Sequence, residues 1–343
     1  MKKKIFFLFL QLLTIIAFAQ EDKHYHCATD EHHFFRLKSD REYERKFNLM
    51  NESWQKFALK KIENDISLQR SPTNPVTLSV VFHDLSNSST FLTSSSSILD
   101  YQYIIDKLNL IYDGTNLNGT PGNNSYINFC VAQKDINGNA YTATLSRVNG
   151  ILVAGNLDKN NTAHLNSIIA ASNTLTKFPT KKFINVYIVD NIVGAAGFAT
   201  LPSSHGTNTD GIYVSRQYLV NDANINTNMN VLAHEMGHYL GLFHTFGICD
   251  PSIIANYPDC SCDNDNCLFN GDMICDTQPN KLHTIGYTCL PSTFPNTCTD
   301  IIPTISDGSH PHDPVDPTIP IQTVDPKDNY MDYGFLNCQY LFT

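Results

Sequence analysis

Apolar positions along this chain change rhythm several times, and each change predicts a different element. From Tyr43 to Leu59 they recur at helical spacing (Tyr43, Phe47, Met50, Trp54, Phe57, Leu59) within a charged background from Asp40 to Asp65. That pattern predicts a helix, and Ser71-Pro72-Thr73-Asn74-Pro75 after it reads as a linker. At Val76 the rhythm shortens. Val76 to His83 is β-branched and compact, the signature of a buried strand. A Ser-rich connection follows, then a helix over about 98–112 with Ile104, Leu108 and Ile111 on one side, and a second strand over 126–133. Helical spacing returns over 165–175 and a third strand is expected over 182–189. Two short strands are expected around a polar loop within 194–214, one of them an edge able to pair with an extended peptide.

Alternating strands and helices of this kind argue for an α/β (α+β) fold, a mixed twisted sheet backed by helices. The last periodic stretch is the helix around Val231–His244, with Asn226, Thr227 and Asn228 ahead of it as candidate caps. Beyond His244 the chain turns polar and irregular to its end, with few helix or strand signals.

Composition narrows what such a fold could do. Of 343 residues 42% are hydrophobic, ample for a core, and 23 Lys+Arg against 33 Asp+Glu give a formal net charge of −10. No basic run follows the first four residues, which disfavours nucleic acid as a partner. Residues 1–19 combine Lys2-Lys3-Lys4, an apolar run and Ala17-Phe18-Ala19. They read as a secretory signal peptide, too short for stable membrane insertion. In an exported chain the ten cysteines, eight of them between Cys249 and Cys338, imply a disulfide framework. Eight cysteines allow 105 pairings, so spacing alone selects none. Cys130, on the second strand, reads as a buried free thiol.

The candidate chemistry lies in HEMGHYLGLFH, which starts at His234. On a helix His234 and His238 fall within roughly 40° of each other, so both imidazoles can bind one zinc, with Glu235 beside them. Gly241 lets the helix end and turn, so that His244 can return as a third nitrogen ligand. Three protein ligands leave a fourth position open, the catalytic arrangement, with Glu235 as general base for a zinc-activated water. Cys27 offers a thiolate that could fill that position and hold an enzyme latent. A disulfide or a free thiol in the N-terminal tail is the alternative.

HEMGHYLGLFHTF, then GDMICDT at residues 271–277, then NYMDY at 329–333 with Cys338 after it, resemble the pappalysin family of metzincin metallopeptidases over roughly Val76 to Thr343. The resemblance implies His234, His238 and His244 as ligands of one catalytic zinc and Glu235 as general base. It further implies Met331 as a structural Met-turn residue beneath the metal and Tyr333 as a stabiliser of the tetrahedral intermediate. Asp272 and Thr277, with the carbonyl of Cys275, are implied as calcium ligands. Disulfides Cys249–Cys298 and Cys289–Cys338 are implied, and Cys267–Cys275 is added as a guess within an insertion. His26-Cys27-Ala28-Thr29-Asp30-Glu31 resembles the start of the pro-segment in relatives with cysteine-based latency. Leu336-Asn337 stand where some members have an acidic residue that helps select basic side chains, so the resemblance leaves a preference for Arg in doubt.

The expected organisation is a signal peptide (1–19), a pro-segment and linker (20–75) and a metzincin-type catalytic domain (76–343). That domain divides into an N-terminal subdomain (76–244) and an irregular, disulfide-rich C-terminal subdomain (245–343). The expected function is that of a secreted zinc metalloendopeptidase, made as a zymogen and acting on protein or peptide substrates. A non-catalytic, calcium- and disulfide-stabilised secreted binding protein is the alternative. Oligomeric state is not encoded in any motif.

Overall fold

The computed structural model describes residues 27–64, 75–86, 101–115, 124–140, 156–172, 174–219, 225–247, 271–274, 277, 329–333 and 342. Residues 1–26, which include the expected signal peptide, residues 65–74, which include all of the expected linker but Pro75, Cys275 and the cysteines of the three expected disulfides lie outside the described residues, as does most of 245–343.

An N-terminal arm comes first, made of α1 (Thr29–Ser39) and α2 (Arg41–Asn64). Asp30 and Glu31 in the first turn of α1 and Arg36 and Lys38 in its last suit the helix dipole. Asp40 separates the helices and caps α2, its Oδ1 accepting the backbone N–H groups of Glu42 and Tyr43 at 3.1 Å each. The stripe expected on α2 is only partly used. Tyr43 and Phe47 are buried and Trp54 packs on Phe243, whereas Phe57 and Leu59 are exposed.

The body is a five-stranded sheet in the order β2-β1-β4-β7-β6, formed by β1 (Val76–Asp84), β2 (Ile127–Val131), β4 (Ile184–Val189), β6 (Gly197–Ala199) and β7 (Ile212–Ser215). Four strands are parallel and β6 runs antiparallel to β7 at one edge. Parallel strands covered on both faces carry continuous apolar runs, and all six residues of β4 are buried. Between β2 and β4 lie β3 (Asn156–Leu157), α4 (Thr162–Ser172) and α5 (Thr174–Lys177); β3 and β5 (Asn191–Ile192) form a small parallel sheet that the sequence did not signal.

Side chains alternate between faces, so β4 feeds two cores. Val186 and Ile188 pack under α3 (Tyr101–Tyr112) and α6 (Ile225–Leu240), with Ile104, Leu108, Leu232 and Met236. Tyr187 and Val189 face Leu165, Ile168 and Ile169 of α4. On that second face a cross-strand row of stacked rings runs His83, Tyr187, Tyr213, Phe198, with centroids 4.6–5.0 Å apart. His32 of the arm continues the row beyond the sheet edge, 5.0 Å from Phe198. The helix α6 begins at Ile225, so Asn226, Thr227 and Asn228 occupy its first turn instead of preceding it as caps. Cys130, expected to be a buried free thiol, is free but only partly buried, because β2 lies at a sheet edge.

Candidate active site

α6 lies against β6 and β7 and ends at Leu240, because Gly241 adopts φ +109°, a left-handed conformation that side chains disfavour. The turn brings His244 back over the helix. The Nε2 atoms of His234, His238 and His244 lie 3.0, 3.1 and 3.2 Å from one another, and all three rings are fully buried.

The opposite ring nitrogens decide what these short contacts are. His234 Nδ1 is 2.5 Å from the carbonyl of Tyr330, His238 Nδ1 is 2.8 Å from the carbonyl of Leu242, and His244 Nδ1 is 2.9 Å from Asp30 Oδ2. None of these oxygens can donate, so each Nδ1 carries the proton and each Nε2 is a bare lone pair. Three converging lone pairs repel and cannot hydrogen-bond one another; a cation at their centre reverses the sign. Burial and the neighbouring imidazoles push His234 and His238 well below the usual histidine range, holding both in the neutral, ligating form. Zinc–nitrogen bonds of about 2.0–2.1 Å in a tetrahedron place nitrogens about 3.4 Å apart, close to the spacing found, so the donor set fits that ion.

Cys27 Sγ joins the same cluster, the four donor atoms lying within 4.8 Å of one another. The thiol comes from the arm, whose backbone docks on the sheet edge: Cys27 bridges Gly197 in parallel register and Ala28 N–H donates to the Gly197 carbonyl at 3.0 Å. Burial and the Glu235 carboxylate push the Cys27 thiol up, and its Sγ lies 3.5 Å from Glu235 Oε2. Thr29 reaches the same carboxylate, its hydroxyl donating to Oε2 at 3.2 Å while accepting the Ala199 N–H at 2.9 Å.

The remaining expected residues gather as well. Met331 is buried beneath α6 where Gly237 makes room for it, since a Cβ there would stand 2.4 Å from the Met331 sulfur. Asn329 Oδ1 accepts the Met331 N–H at 2.8 Å, and Thr245 donates to Asp332 at 2.5 Å, tying the Met331 turn to the segment after His244. Tyr333 stands edge-on to the His244 ring at 4.6 Å, and its hydroxyl donates to the Cys27 carbonyl at 2.7 Å. Burial raises the Tyr333 phenol well above its usual range, so it stays a donor. Asp272 and Thr277 are both buried; Asp272 Oδ1 accepts the Ile274 N–H at 3.0 Å.

Thr29 and Asp30 entered the sequence reading only within the pro-segment resemblance, and no role was expected of them, of Gly197 or of Gly237. A Thr-Asp pair at a helix start reads as ordinary capping chemistry, and a lone glycine in a strand or helix announces no partner. Only the pairing of distant segments reveals them.

Known proteins with related chains agree with this architecture. The family model described as pregnancy-associated plasma protein-A, the M43 peptidases, matches residues 173–298. Extracellular metalloproteases of Sordaria macrospora and Neurospora crassa are each 27% identical, over 171 and 170 residues, covering 48% of this chain and 45% of each relative. The chain thus spans about half the length of the curated relatives it matches. Among solved structures, Tannerella forsythia mature mirolysin in complex with a cleaved peptide aligns at 23% identity with a TM-score of 0.52, covering 79% of this chain and 88% of that one. A Tannerella forsythia promirolysin mutant aligns at 21% identity with a TM-score of 0.54, covering 92% and 89%. With the histidine cluster, the Met331 turn and the sheet topology in place, residues 173–298 match the M43 peptidase family and the chain as a whole is similar to pappalysin-type metallopeptidases.

Proposed function

We propose that this chain is the zymogen of a secreted zinc endopeptidase that hydrolyses peptide bonds in extended polypeptides. One observation carries the reading: three buried imidazoles, each with its Nδ1 proton committed elsewhere, aim bare Nε2 lone pairs at one point. His234, His238 and His244 would hold zinc there, and Cys27 would complete the set while the arm, residues 20–75, serves as a pro-segment. Zinc supplies Lewis-acid polarisation of a carbonyl and lowers the pKa of water towards ~7.

The protein's own groups do the rest. Glu235, buried beside the cluster, takes the proton of the attacking water and returns it to the leaving amine. Tyr333, aimed at the site and held protonated, donates to the oxyanion; in the docked arm the Cys27 carbonyl accepts that same hydroxyl. The edge of β6 offers its main chain to an extended substrate, and Gly197 already accepts such a bond from Ala28. The arm therefore covers both the reacting centre and the strand edge that a substrate needs. The more extensive likeness to a precursor structure than to a mature one supports this reading of residues 20–75.

Secretion follows from the signal-like residues 1–19 and is supported by relatives named as extracellular. Among the described residues no helix is long and apolar enough to cross a membrane. Calcium at Asp272, Cys275 and Thr277, and the three disulfides, belong to the same proposal; the burial of the oxygen-bearing residues Asp272 and Thr277 supports the former. A chelator selective for calcium over zinc should lower the melting temperature if calcium is bound.

The decisive experiment is digestion of a denatured protein by the processed chain. Wild type should cleave it, a zinc chelator should stop cleavage, and Glu235→Ala should slow it roughly 10²- to 10⁴-fold. Proteolysis that survives in Glu235→Ala would remove the mechanism.

A further inference from the structure

The three histidines differ in what holds them. His234 and His238 sit on α6 and give their Nδ1 protons to carbonyls of Tyr330 and Leu242, both part of the body. His244 lies beyond the helix end, on irregular chain, and its Nδ1 proton goes to the Asp30 carboxylate of the arm. Asp30 is itself firmly placed. It sits in the first turn of α1, directly after Thr29, whose hydroxyl is clamped between Glu235 and the Ala199 N–H. The pair is buried, with Asp30's side chain 10% exposed and His244's not at all.

A carboxylate on the far nitrogen of a metal-binding imidazole fixes its tautomer and ring plane and makes the near nitrogen a stronger donor. A charged acceptor does this more strongly than a neutral carbonyl. In this chain the strongest such acceptor therefore belongs to the segment that maturation would remove.

We propose that Asp30 is a positioning residue for His244, so that the intact chain binds its metal more tightly than the body does without the arm, independently of the Cys27 thiol. The arm then has two separate effects on the centre: it blocks the site and it secures the metal while the protein folds. This inference rests on the zinc reading above.

The test is zinc affinity of the full-length chain, stripped of metal and titrated with Zn²⁺ against a chromophoric chelator. Cys27→Ala is compared with Cys27→Ala/Asp30→Ala, so that the thiol contributes to neither. Affinity should fall roughly 10- to 100-fold on loss of Asp30, and by less in Cys27→Ala/Asp30→Asn, whose amide oxygen still accepts. The control is Cys27→Ala/Glu31→Gln, which breaks the arm's ion pair with Lys159 and leaves His244 untouched; it should keep its zinc affinity. A Co²⁺ ligand-field spectrum should shift with Asp30→Ala and stay constant with Glu31→Gln. Equal affinities with and without Asp30, or an equal loss in the Glu31 control, overturn the proposal alone. Failure of the wild-type chain to take up zinc overturns the underlying reading with it.

Discussion

The helix α6 and the first turn of α1 meet at one point and reach it by opposite routes. α6 is periodic, apolar on its inner side, and fully packed by its own sheet, so His234 and His238 are placed by residues close in sequence and by the body's backbone. Cys27, Thr29 and Asp30 are placed by contacts to Gly197, Ala199, Glu235 and His244, at sequence separations of 170 or more. The first region is a scaffold that carries chemistry. The second is a plug whose every functional contact is borrowed from the scaffold. A plug of this kind should be removable without unfolding what it covers.

That comparison breaks first at Cys27. Cys27→Ala should release activity towards a peptide substrate before any processing. A tethered ligand works at high effective concentration, so its loss should raise unprocessed activity by about 10²-fold. Unchanged latency in a peptide-cleavage assay would mean that the plug works without the thiol.

Acid should loosen the same region. His32 and His33 are buried on α1, held by the Lys159 carbonyl at 2.9 Å and the Tyr43 hydroxyl at 2.7 Å, and neither Nε2 has a hydrogen-bond partner among the described residues. Burial lowers them to about 3 and about 4. The docked arm thus requires neutral imidazoles, whereas a released arm protonates near pH 6.5. Docking is complete above pH 6.5 and weakens as pH falls, by about 2 kcal/mol per histidine at pH 5, levelling off only below the docked values. Hydrogen exchange of residues 29–39 should therefore accelerate between pH 6.5 and 4.5; flat protection over that window would contradict the buried, neutral assignment.

Gly197→Ala tests the scaffold where the two regions touch. A Cβ there would lie 2.9 Å from the Glu235 side chain, displacing the proposed general base while leaving strand pairing intact. Processed enzyme should lose about 10²-fold in kcat/KM with a nearly unchanged melting temperature. The smallest effect is expected from Trp54→Ala on α2, whose ring packs on Phe243 with centroids 6.3 Å apart. Trp54 is half-buried, so about 1–2 kcal/mol of arm docking should be lost. Faster limited proteolysis of the arm, with the body's melting temperature retained, is the expected sign.

Strands β1, β2 and β4, helix α3 and the active-site helix were all readable because each buries its own periodic face, and periodicity is a local property of sequence. The clustering of His234 and His238 was readable for the same reason: imidazoles one turn apart on one helix need no knowledge of the rest of the chain. Cys27 was a candidate because a thiolate is a good zinc ligand and His26–Glu31 resembles a family pro-segment, but that it stands beside the three histidines came only from the structure. The antiparallel sense of β6 was not, because a three-residue strand carries no directional signal.

By itself, then, the sequence determined the sheet's interior strands, the helix that carries His234, Glu235 and His238, and the turn at Gly241 that returns His244. Only the tertiary structure decided that the His83–Phe198 ring row reaches the sheet edge at β6, that the arm docks there, and that Thr29 and Asp30 engage Glu235 and His244. The physical reason is the range of the forces involved. Helices and buried strands arise from neighbours a few residues apart, whereas a carboxylate 214 residues from its imidazole partner finds it only after both have been buried in the same place.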